Sequence, residues 1–187
     1  MPIPNFNNQG VLPPYDGESA QFDNSSPYPA TTFELCQMFG TTPERREILR
    51  GFLKFRGVFN DLLITEGFQW VDGRFMEKDP ERGACPDCIQ VVTFCKDGPR
   101  VNDPEFDEIS APIRAEYQII RRQFRVDPFH VCLDWPLENV IANTRFYASL
   151  MSHQQETGIW KGMLEIKLGT PKDDAQAMEH LNSFGEV

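Results

Sequence analysis

The chain has 187 residues, 40% hydrophobic and 25% charged, which is enough to bury one full core and excludes fibrous, collagen-like and wholly disordered classes. Eighteen basic against 28 acidic residues leave a formal charge of −10, a field that repels nucleic acid and excludes long-range capture of DNA. The imbalance sits at the ends: no Lys or Arg precedes Arg45, whereas Asp16, Glu18, Asp23, Glu34 and Glu44 do, and the tail from Thr170 sets Lys172 against Asp173, Asp174, Glu179 and Glu186.

The opening MPIPNFNNQG lacks the basic region and apolar run of a secretory signal, and no stretch nears the ~20 apolar residues that span a bilayer. A cytoplasmic protein without membrane contact is expected. Five cysteines, an odd number in a chain of this length, do not form a secreted disulfide framework, so reduced thiols are expected.

Residues 1–31 hold six of the fifteen prolines, with Asn, Ser and Gly and no periodicity, and so read as an extended arm. Phe6, Leu12 and Tyr15 within it are apolar enough to predict packing along the body rather than free disorder. Thr41 and Glu44 have capping-box spacing, and Ile48, Phe52, Phe55, Phe59 and Leu62 recur at helical steps, which predicts a helix over 42–66 ended by Gly67. Its Arg45, Arg46, Arg50, Lys54 and Arg56 read as a solvated face.

FQWVD then reads as a strand stopped at Asp72-Gly73, CIQVVTFC as a second, RVDPFHVCL as a third and IWKGMLEIKL as a fourth. Helices are predicted from Asp103-Pro104, interrupted or restarted at Ala111-Pro112 and running from Ile113 to Phe124, then over Leu137 to Met151 and over Pro171 to Phe184. Strands alternating with helices predict an α/β or α+β fold with a mixed sheet. The implied organisation is an arm over 1–31, a body over 32–169 and an acidic C-terminal helix or tail over 170–187.

The segments NFNNQGVLPP, TPERREIL, WVDGRF, CPDCIQVV, FRVDPFHV and GIWKGMLEIKL occur in an order that resembles small bacterial and phage nucleotidyltransferase-like proteins. The resemblance covers Asn5 to Leu168. It implies the minimal nucleotidyltransferase fold shared with DNA polymerase beta-type enzymes and with the MNT antitoxins of toxin–antitoxin pairs. It also implies an Asp-Ile-Asp pair at the start of one strand and a third acid on a later strand, which together hold divalent metals over nucleotide phosphates. Such chemistry needs several hard oxygen ligands on one face.

This chain departs from that pattern: Cys88, Ile89 and Gln90 stand at the Asp-Ile-Asp positions, and Arg74 replaces the serine of a Gly-Ser-Phe turn. Of the three acids only Asp127 remains. Gly73 and Arg74 are the candidate nucleotide-binding residues. Asp87 and Asp127, with Glu77 or Asp72, are the residues that could hold a lone metal in a rearranged site. Cys85 and Cys88 form a CxxC without a second close Cys or His pair for zinc, and as a thiol pair it precedes a strand rather than a helix. His130 reads as a structural histidine.

The expected protein is therefore a pseudoenzyme that binds a protein partner, in a toxin–antitoxin or phage-defence setting, or a nucleotide, and needs no cofactor. Two alternatives stay open: an active Mg²⁺-dependent nucleotidyltransferase with a rearranged site, and a thiol or zinc protein using Cys85 and Cys88.

Overall fold

The computed structural model describes residues 3–78 and 86–185. Cys85 lies outside the described residues.

The arm is extended and docked. Val11 and Leu12 are buried, the Phe6 ring packs edge-on against Phe39 at 5.7 Å, and Tyr15 meets Trp160 at 6.0 Å. Phe22, at the arm's loop tip, is fully exposed. The arm also enters the sheet: Tyr28–Pro29 (β1) pairs with a strand at the far end of the chain. Thr32–Phe39 (α1), left unassigned by the sequence reading, is started by a capping box. The Thr31 hydroxyl accepts from the Glu34 N–H at 3.1 Å, and the Glu34 carboxylate accepts the Thr31 N–H at 2.8 Å.

Pro43–Asp61 (α2) begins at Thr42 rather than Thr41, with the Thr42 hydroxyl accepting the Arg45 N–H at 3.3 Å. It ends before Gly67 because Leu63 turns left-handed, φ 58°, which lets Leu62 and Ile64 both enter the core. Gly67–Asp72 (β2) and Ile89–Cys95 (β3) follow as predicted. Asp107–Arg114 (α3) retains Pro112 inside it, forgoing one hydrogen bond, and the break falls instead at Ala115 and Glu116, both extended, before Tyr117–Phe124 (α4).

Val126–Cys132 (β4) and Leu137–Met151 (α5) match the sequence. The long fourth strand is cut to Leu164–Lys167 (β5), because Trp160 bridges to His153 and the Gly162 N–H donates to the Leu12 carbonyl of the arm at 2.8 Å.

The sheet order is β1-β5-β2-β3-β4, with the β1–β5 and β3–β4 pairs parallel and the others antiparallel. This is a mixed α/β architecture of the α+β type. One face, through Val71, Ile89, Val91 and Val126, packs on α2 in the main core; the other, through Trp70, Val92, Phe94 and Val131, packs on Met151 and Tyr147 of α5. A Cβ at Gly51 of α2 would lie 2.1 Å from the Phe124 carbonyl oxygen, so only glycine lets α2 approach the end of α4 this closely.

Pro171–Asn182 (α6) is an integral layer, not a tail. Asp173 accepts both the Thr32 N–H and hydroxyl at 2.9 Å, and Asp174 pairs with Arg56 at 2.8 Å. Arg56 therefore departs from the expected solvated face: it is buried at 1% exposure. No helix among the described residues is long and apolar enough to cross a membrane.

Two substitutions test these contacts. Leu12→Ala should cost about 2–5 kcal/mol while Phe22→Ala changes stability by less than about 0.5, as read by urea unfolding. Arg56→Ala should cost about 3–5 kcal/mol, because it leaves the Asp174 carboxylate buried without its cation.

Candidate functional site

Strand register builds the site. Asp72 pairs with Gln90 across β2 and β3, and Gln90 pairs with Asp127 across β3 and β4. Side chains of paired residues share a sheet face, so these three form a row on the α5 side, joined by Cys88 two residues before Gln90. The row floors a cleft of about 380 Å³ walled by Gly73, Arg74, Glu77, Asp87, Arg121, His153, Gln154 and Lys161. Gly73, at φ 91°, turns the chain from β2 into the short Arg74–Met76 helical turn; a Cβ there would sit 3.0 Å from the Gln90 side chain.

At one end, Lys161 is buried at 4% exposure and its Nζ lies 3.0 Å from Asp72 Oδ1, 3.1 Å from Glu77 Oε1 and 3.3 Å from the Gly73 carbonyl oxygen. Asp72 Oδ1 lies in ion-pair contact with that ammonium inside the protein. Burial pushes the Asp72 carboxyl up to about 6, with Lys161 opposing the shift. Glu77 is held in turn by Gln154, whose Nε2 donates at 2.7 Å.

At the other end, Asp127 is saturated. Oδ1 accepts from the Tyr117 hydroxyl at 2.5 Å and pairs with Arg121 at 3.0 Å, while Oδ2 accepts from the Cys88 thiol at 3.1 Å. Arg121 also pairs with Asp87 at 2.8 Å, and that hydrogen bond holds the exposed Asp87 carboxyl below its ordinary value. Burial, then the hydrogen bond to Asp127, pushes the Cys88 thiol far up, so it is a hydrogen-bond donor and not a thiolate nucleophile.

The sequence-predicted residues Gly73, Arg74, Asp87, Cys88, Gln90 and Asp127 thus come together in one cleft. His130 does not: it faces the opposite side of the sheet, against Cys95 at 3.5 Å. Of the acids named for a rearranged metal site, Asp87 and Asp127 pair with Arg121, while Glu77 and Asp72 turn to Lys161. Two side-chain cations stand where divalent ions would have to neutralise the acids. Among the described residues no three His, Cys, Asp or Glu side chains converge on a metal position, so the donor set does not fit a two-metal clamp.

The comparisons bear on this arrangement through the whole chain, since one family profile matches residues 4–167, which includes every described cleft residue. The chain belongs to a family of unknown function, DUF6932. No curated protein and no solved structure matches it.

Sequence reasoning about this DUF6932 chain missed Lys161, Arg121 and Tyr117. Lys161 had one visible signal, a lone charge inside the apolar run IWKGML. Arg121 and Tyr117 had none, because they reach Asp127 only when α4 lies over the start of β4.

A carboxyl with a folded value above its unfolded one binds its proton more tightly in the native state, so its stabilising contribution is present at low pH and lost as pH rises from about 4 to about 6. Asp72→Asn should therefore gain stability relative to the parent across that window, by up to about 3 kcal/mol, with little difference at pH 4. Urea unfolding at intervals from pH 4 to 7 measures it.

Proposed function

We propose that this chain is a catalytically degenerate nucleotidyltransferase-like protein that acts by binding a protein partner. The observation carrying the reading is the Gln90–Asp127 register pair: the positions at which the resemblance implies metal carboxylates meet in one cleft, yet hold Cys88 and Gln90, and Asp127 is already engaged by Arg121, Tyr117 and Cys88. A transferase needs hard oxygen ligands free to take metal, and these are not free.

Protein is favoured over nucleotide on two counts. The cleft lining carries Asp72, Glu77, Asp87, Asp127 and Glu156 against Arg74, Arg121 and Lys161, a net negative surround for a phosphate group. Trp135, Leu137, Ile141 and Phe146, on α5 and the turn before it, are exposed large hydrophobics of the kind that mark contact surfaces. Arg74 at the cleft wall remains the residue through which a nucleotide would be held. A toxin–antitoxin or phage-defence role in the cytoplasm is the setting the family resemblance suggests.

Purified protein incubated with labelled nucleoside triphosphates and Mg²⁺ or Mn²⁺ should give no nucleotidyl transfer; transfer that vanishes in Asp127→Ala would overturn the reading. Cys88→Asp with Gln90→Asp sets three carboxylates side by side and should raise Mn²⁺ affinity at least about tenfold, worth about 1.4 kcal/mol, in an electron paramagnetic resonance titration. Affinity capture from the native host, with Leu137→Glu as the control that loses the partner, tests the protein-binding half.

A further inference from the structure

The opposite face of the sheet holds a second cavity of about 380 Å³, between the strands and the helices α2, α3 and α4, and an inference from it does not rest on the function proposed for the cleft. Its walls are predominantly apolar: Phe55 and Phe59 from α2, with rings edge-on at 5.1 Å, Ile113 from α3, and Ile120 and Tyr117 from α4. Its existence follows from the backbone. The extended pair Ala115–Glu116 steps the chain between α3 and α4, and Pro128 of the edge strand β4 lines the floor.

Polar groups line one side of the cavity, Thr93 buried within it and His130 at its exposed mouth. Thr93 is 2% exposed; its oxygen accepts from Gln69 Nε2 at 3.1 Å, and its own hydroxyl proton has no acceptor among the described residues. His130 sits beside it, paired with Thr93 in the β3–β4 register, with Nε2 at 3.5 Å from Cys95 Sγ. Arg114 at the wall is already paired with Asp107 at 2.7 Å and Asp97 stands at the exposed rim, so the buried part of the cavity presents no charged group to a ligand. A concave, aromatic-walled space of this size with one or two fixed polar groups has the properties of a small-molecule site.

We infer that this cavity binds a small uncharged aromatic molecule bearing one hydrogen-bonding substituent, its ring between Phe55, Phe59 and Ile120 and its polar atom at Thr93 and His130. The Tyr117 ring lines the same cavity while its hydroxyl donates to Asp127 in the cleft, so one side chain touches both sites. Occupancy of the cavity is therefore read at the cleft as well.

The probe is 2-naphthol, titrated into the full-length protein while the ring resonances of His130 and Tyr117 are followed by NMR. Saturable shifts of both are expected, with one binding event by calorimetry. Ile113→Trp, which fills the cavity, should weaken binding tenfold or more; Ala115→Phe serves the same purpose if the first variant unfolds, as judged by circular dichroism. Tyr117→Phe should keep the affinity within about threefold, since it removes only the hydroxyl. Absence of saturable shifts at His130, or unchanged affinity in a folded cavity-filling variant, overturns the inference.

Discussion

A buried guanidinium organises this fold. Arg56 donates to Asp174 at 2.8 Å, to the Gln69 side chain at 2.8 Å, and to the Lys167 carbonyl and the Thr170 hydroxyl at 2.9 Å, and Gln69 passes the chain of contacts on to Thr93. A charge held away from water is tolerable only when it is paired and hydrogen-bonded, so the four partners constrain one another. Helix α2, strands β2 and β3, the end of β5 and the start of α6 can meet in one arrangement only. That arrangement sets where β2 lies against β3, and hence where Asp72 lies against Gln90.

The cleft repeats the same logic with opposite consequences. Lys161 and Arg121 each gather two carboxylates, and the two clusters flank Gln90 without sharing a ligand. Acids that could have drawn in hard metal ions are neutralised from within, and Cys88 spends its proton on Asp127. Burial costs the Asp72 carboxylate, and Lys161 offsets part of that cost.

Much of the architecture was legible in the sequence because it rests on local signals. Alternation in FQWVD and CIQVVTFC and the heptad-like steps of Ile48 to Leu62 report which residues a neighbouring layer must cover. Boundaries were less legible where tertiary contacts override them: Leu63 bends the end of α2 to bring Leu62 and Ile64 inside, and the arm at Leu12 displaces the first half of the predicted fourth strand. The short helix α1 was written in Thr31 and Glu34 but hidden beside the proline-rich arm.

The sequence by itself determined the mixed sheet flanked by helices and the docking of an apolar-studded arm, because these depend on residue type and on periodicities of two or 3.6. Only the tertiary structure decided that Arg56 is interior rather than solvated, that α6 is a core layer, and that Lys161 and Arg121 complete the cleft. Each of these rests on contacts between residues far apart in the chain, from 34 positions for Arg121 and Asp87 to 118 for Arg56 and Asp174 and 141 for Thr32 and Asp173. Which charge meets which at that separation is fixed by how the helices cross the sheet, a relation that no local pattern encodes.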